Sequence, residues 1–135
     1  MLGSEKLASL RIVLFGVTGA VCTAYALMAV VQGRPDPFLP WIPGFFGILS
    51  AALIVIAARA AGRAQAAQAM DEGYMVDNHR AQRFGYWVAV SLYPLFALIV
   101  WQGLIDWPTA FAAMGTLTGA AYLLGFVWFD LQGRI

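Results

Sequence analysis

The chain alternates between long apolar stretches and short groups of charged residues. Four stretches without a charged residue cover residues 12–33, 37–58, 84–105 and 107–129. A bilayer core about 30 Å thick needs about 20 residues of α-helix, because a helix rises ~1.5 Å per residue. The pattern therefore predicts an all-α polytopic membrane protein with four transmembrane helices. We place the spans at about residues 11–32, 41–60, 84–105 and 108–129 of a single domain over residues 1–135, with a connection over residues 61–83.

Composition agrees with this prediction and excludes some functions. Hydrophobic residues make up 61% of the chain and charged residues 11%, whereas soluble domains are about one quarter charged. The formal net charge of +1 gives no reason to expect nucleic-acid binding. The single cysteine, Cys22, excludes a disulfide framework within the chain.

The positions of the basic residues predict the orientation. With four spans, the N-terminus, the connection over residues 61–83 and the C-terminus share one side, which carries every Lys and Arg except Arg34. Basic residues prefer the cytoplasmic side, so we expect an up-down-up-down arrangement with both termini in the cytoplasm. The chain is therefore expected to be a multi-pass protein of an inner (cytoplasmic) membrane. Ala24-Tyr25-Ala26 resembles a signal-peptide cleavage site, but we expect the first stretch to remain as a span.

Small residues on the first and fourth helices are candidates for helix packing. They are Gly16 and Ala20 on the first helix, and Gly115 and Gly119 of a GxxxG motif on the fourth. Small residues let helix backbones approach closely in lipid. The stripe fits either packing within the chain or a seam between two copies.

Proline and tryptophan mark further features of the spans. Pro94 lies inside the third stretch, where it removes a backbone hydrogen bond and makes either a hinge or a static kink. We expect Ser91 or a neighbouring helix to satisfy the freed carbonyl. Proline is well tolerated at a helix start, so three prolines predict the start of the second helix: Pro37, Pro40 and Pro43. The tryptophans near the span ends are typical of interfacial anchors: Trp41, Trp87, Trp101, Trp107 and Trp128.

The connection is the only polar segment of any length. Its alanine-rich part, residues 59–70, predicts that the second helix continues for two or three turns beyond the bilayer. We expect Gly73 to break that helix and Asp77 to cap the third one. Arg80 and Arg83 share a helix face and would meet anionic head groups.

Candidate chemistry is confined to the same connection. Asp71, Glu72, Asp77 and His79 could bind a divalent cation by ligand type, but their spacing matches no known metal loop. The alternative is a solvated loop with charge pairs to Arg80 and Arg83. We also expect Asp130 and Arg134, four residues apart, to form a helix-end pair.

The four uncharged stretches contain no Lys, Arg, Asp, Glu or His, and the chain contains no catalytic motif. Ion-coupled transport normally needs an ionisable group within the membrane. Haem ligation by two histidines is excluded because His79 is the only histidine. We therefore predict that the protein is not an enzyme and has no catalytic, cofactor-binding or metal-binding residue.

The chain resembles a loose group of uncharacterised bacterial four-helix membrane proteins, of the domain-of-unknown-function type. The resemblance is carried by the Asp71-Glu72 pair in the cytoplasmic loop, followed by His79-Arg80-Ala81 at the entry to the third span. Gly73 stands where the group usually has arginine. The resemblance implies the four-helix layout and no known activity.

These observations favour a non-enzymatic structural or accessory subunit of a larger membrane complex. Its expected partners are membrane lipid and either other membrane subunits or a second copy, through the small-residue faces. The first alternative is a small homo-oligomeric transporter or channel for a neutral or apolar solute, built around Pro94. The second is a protein that binds a hydrophobic ligand or pigment through aromatic residues: Tyr25, Tyr93, Trp101 and Tyr122.

Overall fold

The computed structural model describes residues 3–135, and every regular element in that range is an α-helix. In chain order the helices are α1 (Ser4–Gln32), α2 (Ile42–Ala61), α3 (Arg63–Ala69), α4 (Glu72–Trp101) and α5 (Trp107–Arg134). All except α3 are long and apolar enough to cross a membrane. The prediction of an all-helical chain with four long apolar helices is confirmed.

Helix α1 begins before the first apolar stretch and ends at a glycine. It starts at Ser4, so Arg11 lies well inside the helix rather than at its first turn. The helix stops at Gly33, whose φ of 65° is left-handed and costs glycine little. The amide of Gly33 donates to the Val30 carbonyl, and that of Arg34 donates to the Ala29 carbonyl.

Helix α2 does not continue to Met70, so the predicted extension is wrong. It ends at Ala61, and Gly62 has a φ of 90°, which interrupts the helical hydrogen-bond ladder. The next seven residues form the separate helix α3. The change of direction lets α3 pack against α1, where the Ser4 amide donates to Gln65 Oε1 at 2.9 Å. Residues 63–69 are helical, as their propensity predicts, and the break falls at Gly62, which has the lowest helix propensity in the segment.

Helix α4 begins at Glu72, five residues before Asp77, which corrects the predicted cap. Asp71 is the N-cap, and its Oδ1 accepts a hydrogen bond from the Tyr74 amide at 3.0 Å. Gly73 lies in the first turn and does not break the helix, because the capped turn satisfies the amides around it. Asp77 lies inside α4, half-buried against α5 near Gly133.

This correction gives a first testable prediction. Asp71→Ala should lower the free energy of unfolding by about 1 kcal/mol, because Ala cannot accept the hydrogen bond of the first turn. Asp77→Ala, the matched control on the same helix, removes no cap and should not reproduce that loss. Thermal unfolding followed by far-UV circular dichroism in mild detergent compares the two. A larger loss for Asp77→Ala would restore the cap assignment made from the sequence.

Pro94 lies inside α4 as predicted, but Ser91 does not satisfy the carbonyl that Pro94 frees. Proline removes the bond to the carbonyl four residues earlier, which belongs to Val90. The Ser91 hydroxyl donates instead to the Trp87 carbonyl at 2.8 Å, because an i−4 bond is the one its side chain reaches on a helix. The helix continues through Pro94 to Trp101.

The four long helices lie in a row in the order α2, α1, α5, α4. Helix α1 packs mainly on α2 and α5, and α4 packs mainly on α5. Each pair is antiparallel, as shown between α1 and α5 by Gly19 beside Leu124 and by Ala26 beside Ala110. Between α1 and α2, the buried hydroxyls of Thr18 and Ser50 are 2.7 Å apart. A shared hydrogen bond of this kind stabilises helix pairs in lipid.

The outer two helices are the least covered. In their most apolar segments α1 and α5 bury 33% of residues, whereas α2 buries 17% and α4 buries 11%. Side chains such as Ile48 of α2 (74% exposed) and Tyr93 of α4 (65% exposed) project from the row. All the predicted tryptophan anchors are exposed as well: Trp41, Trp87, Trp101, Trp107 and Trp128.

The glycines at the helix crossings are different from those predicted. A Cβ at Gly16, Gly115 or Gly119 would meet no atom within 4 Å, and Ala20 is exposed. The close approaches lie at three other glycines: Gly19 against Leu124, Gly85 against Tyr122 and Gly125 against Phe84. A Cβ at Gly16, Gly115 or Gly119 would therefore have no close neighbour from another helix, and the predicted close approach is not seen at these positions. A seam between copies stays a prediction.

Candidate functional site

A buried arginine stands at the end of the row where α3, the start of α4 and the end of α5 meet. Arg11 of α1 is 7% exposed. Its Nη1 donates to the carbonyl of Ala69, the last residue of α3, at 2.9 Å. Its Nη2 lies 3.4 Å from Oδ1 of Asp130 on α5. One side chain thus connects three helices that are distant in sequence.

Aromatic rings enclose the same guanidinium. Its Cζ lies 4.4 Å from the ring centroid of Tyr74 and 5.1 Å from that of Phe126. A cation over an aromatic face is attracted by the ring quadrupole, and the attraction grows when water is excluded. Tyr74 also packs edge-on against Phe126, with the ring centroids 5.6 Å apart. The rings therefore help to compensate Arg11 for its lost hydration.

Asp130 carries two ion pairs with different exposure. Its Oδ1 faces Arg11, and its Oδ2 accepts from Nε of Arg134 at 2.7 Å. The predicted helix-end pair of Asp130 and Arg134 is confirmed. Asp130 is 8% exposed, whereas the side chain of Arg134 is 41% exposed. The buried pair with Arg11 is consequently the one whose loss would leave an uncompensated charge.

A cleft of about 350 Å³ opens beside these groups. Its wall contains two arginines and four carboxylates, so its charge is net negative: Arg11, Arg134, Glu5, Asp71, Asp77 and Asp130. The neutral part of the wall includes Ser4, Gln68 and Tyr74. The cleft thus gathers residues from both chain termini and from the connection.

The predicted loop cluster is divided by the fold. Asp71 and Asp77 line the cleft, while Glu72 and His79 are exposed and do not line it. His79 Nδ1 is 2.8 Å from the Met75 carbonyl on its own helix. Over residues 3–135 no three histidine, cysteine or acidic side chains converge closely enough to hold a metal ion.

The expected charge pairs to Arg80 and Arg83 are absent from the part of the chain that the structure describes. The salt bridges there join Asp130 to Arg11 and to Arg134. The reason is that Asp71 serves as a helix cap and Asp77 turns towards α5. Arg80 and Arg83 remain exposed on α4.

The aromatic residues considered for ligand binding do not share one site. The Tyr25 hydroxyl donates to the Pro35 carbonyl at 2.7 Å, at the end of the row opposite to Arg11. The Tyr122 hydroxyl donates to Asn78 Oδ1 at 2.6 Å, near the Arg11 end. Tyr93 and Trp101 are 65% and 85% exposed. Tyr25 and Tyr122 therefore lie towards opposite ends of the row, and ligand binding through the predicted set stays a prediction.

Sequence reasoning missed the contact between Arg11 and Asp130. The two residues are 119 positions apart, and the only partner predicted for Asp130 is Arg134. The available signal was topological, because a four-span chain brings both residues to the same side of the membrane. Arg11 directly precedes the first uncharged stretch and Asp130 directly follows the fourth, so their opposite charges made them a possible pair. Tyr74 and Phe126 carried no comparable signal.

The arrangement holds several helices together at one end of the row. The Arg11 guanidinium already contacts a carbonyl, a carboxylate and two aromatic faces. Asp71 and Asp130 are likewise engaged, as a helix cap and as an ion-pair partner. The geometry thus joins α1, α3 and α5 at one end of the row.

No family model, no curated protein and no solved structure matches this chain.

Proposed function

We propose that the chain is a non-enzymatic integral membrane protein that serves as a structural or accessory subunit of a larger membrane complex. In this proposal α1, α2, α4 and α5 span a bacterial inner membrane in an up-down-up-down arrangement. Both termini and α3 lie in the cytoplasm, because the basic residues concentrate at that end.

One observation carries the proposal: the row is open at both sides. Helix α2 packs mainly on α1 and α4 mainly on α5, so each leaves most of its circumference uncovered. Lipid alone is a permitted neighbour, but it supplies no reason for two weakly covered helices to hold one position. A neighbouring subunit that packs along α2 or α4 would supply that reason. The polar end fits the same role, since its charged groups are engaged in holding the row together.

The experiment is site-specific photocrosslinking in the native membrane. A photoreactive side chain at Ile48 of α2 or at Tyr93 of α4 should give one discrete adduct to another protein. The fixed mass of that adduct defines the stoichiometry. The matched control is Ala113, which is fully buried between helices and should crosslink only within the chain. Adducts to lipid alone from both Ile48 and Tyr93 would contradict the proposal.

The homo-oligomeric transporter is the competing function, and one observation favours it. A Cβ at Gly115 or Gly119 would meet no atom within 4 Å, so this small-residue face has room for a close neighbour. An adduct whose mass is twice that of the chain, obtained from a probe at Gly119, would indicate self-association through this face. Solute flux in reconstituted vesicles, lost in Pro94→Ala, would then be required before a transport role is assigned.

A further inference from the structure

A groove of about 470 Å³ lies at the junction of α2 and α3. Its volume falls within the range of about 300–1,000 Å³ that is usual for ligand sites. The wall is apolar and contains Ile54, Val55, Ala58 and Met70. Two arginines, Arg59 and Arg63, also line the groove. The groove therefore combines an apolar wall with a cationic part.

The two arginines are free to meet an external anion. Both are exposed, and the ion pairs found over residues 3–135 involve neither of them. The lining of the groove contains no carboxylate. This distinguishes the groove from the cleft beside Arg11, where acidic residues outnumber the arginines.

The break at Gly62 creates this combination. Arg59 lies in the last turn of α2, and Arg63 is the first residue of α3. Because Gly62 has a φ of 90°, the two arginines belong to different helix directions rather than to one helical face. Ile54 and Val55 lie one turn deeper on α2 than Arg59. A ligand with an anionic head and an apolar tail could therefore place its head at the arginines and its tail along α2 against Ile54 and Val55.

The groove continues inwards. A smaller hollow of about 60 Å³ shares Ile54, Ala58 and Met70 with the groove and extends to Phe15 of α1. Its lining is also largely apolar. The space available to an apolar tail is therefore not limited to the surface of α2.

We propose that this groove binds an anionic phospholipid, with the phosphate held by Arg59 and Arg63 and an acyl chain against Ile54 and Val55. Basic pockets at the cytoplasmic ends of membrane helices are typical sites for anionic head groups. The apolar wall favours a lipid over free phosphate, which would gain nothing from Ile54 or Val55. The inference requires membrane insertion but not the subunit role, so each can fail without the other.

The experiment is native mass spectrometry of the full chain in mild detergent. The probes are dioleoyl-phosphatidylglycerol, which is anionic, and dioleoyl-phosphatidylcholine, which has the same chains and no net charge. The wild type should retain phosphatidylglycerol preferentially. The double variant Arg59→Gln/Arg63→Gln should bind it roughly 25-fold more weakly, since each arginine near a lipid surface contributes about fivefold. Ala58→Phe should also weaken binding, because the ring fills the groove.

The matched control is Lys6→Gln/Arg34→Gln, which removes two exposed cationic side chains outside the groove and leaves its lining intact. It should retain phosphatidylglycerol nearly as well as the wild type. Equal losses in the two double variants would indicate diffuse attraction and overturn the proposal. Equal retention of the two lipids, or displacement by glycerol phosphate without acyl chains, would also overturn it. Far-UV circular dichroism verifies that each variant is folded.

Discussion

Asp130→Asn should lower the free energy of unfolding by about 3–5 kcal/mol, the largest effect we expect from a single substitution. Removing one partner of a buried ion pair leaves the other charge buried without compensation, which costs about this much. Arg11 would keep its bond to the Ala69 carbonyl and its contacts with Tyr74 and Phe126. These contacts place the expected loss near the lower end of the range.

Arg134→Ala is the matched control, because it removes the other ion pair of the same carboxylate. The Arg134 side chain is 41% exposed, so its pair should contribute no more than about 1 kcal/mol. A denaturant titration in mild detergent, followed by far-UV circular dichroism, measures both variants. Similar losses for Asp130→Asn and Arg134→Ala would contradict the assignment of Arg11 as the important partner.

The double variant Arg11→Met/Asp130→Leu separates the net value of the pair from the cost of breaking it. Buried ion pairs are often replaceable by apolar side chains of similar volume at little or no loss of stability. We therefore expect the double variant to recover most of the stability lost in Asp130→Asn. Failure to recover it would show that the charges themselves are required, for example by a ligand in the adjacent cleft.

The long helices could be predicted from the sequence because their determinants are local. An uncharged stretch of span length can satisfy its backbone in lipid only as a helix, although α1 and α4 extend through charged residues beyond their stretches. Helix α2 illustrates this, since it was expected at about residues 41–60 and occupies Ile42–Ala61. The pair of Asp130 and Arg134 was predictable for the same reason, as its members are one helical turn apart.

What could not be predicted depends on contacts between distant segments. Glycine at position 62 permits a φ of 90°, but the sequence of residues 59–70 does not specify the packing of α3 on α1 that accompanies the break. The choice of Asp71 over Asp77 as the cap follows from where the chain leaves α3. The burial of Arg11 depends on Asp130, which is 119 positions away.

Contacts at the polar end reinforce the junction between two parts of the molecule. One part is α1, α2 and α3, and the other is α4 and α5. They meet chiefly where α1 packs on α5. Arg11 strengthens this contact at one end by reaching α5 through Asp130 and α4 through the Tyr74 ring. The buried pair therefore supports the arrangement on which the open faces of α2 and α4 depend.

Gly85→Leu should separate α4 from the row. A Cβ at this position would lie 3.4 Å from Tyr122 Cβ and 3.6 Å from Tyr122 Cα and N, so a larger side chain meets the backbone of α5. Backbone cannot move aside as a flexible side chain can, and overpacking of this kind costs about 1–3 kcal/mol. Because α4 has α5 as its main neighbour, no second contact compensates the loss. The displaced α5 face would also strain the hydrogen bond from Tyr122 to Asn78.

Gly119→Leu provides the control, since the same substitution there enters open space within the chain. Gly119 is half-buried, but a Cβ there would meet no atom within 4 Å, so we expect the free energy of unfolding to fall by less than about 1 kcal/mol. Chemical denaturation measures stability for both variants, and light scattering in detergent measures their mass. Equal destabilisation by the two substitutions would show that the GxxxG face packs within the chain after all. A change of mass in Gly119→Leu without a change in stability would instead identify that face as a seam between copies. The two variants thus distinguish a glycine required for packing within the chain, Gly85, from one that is open to contact with a partner, Gly119.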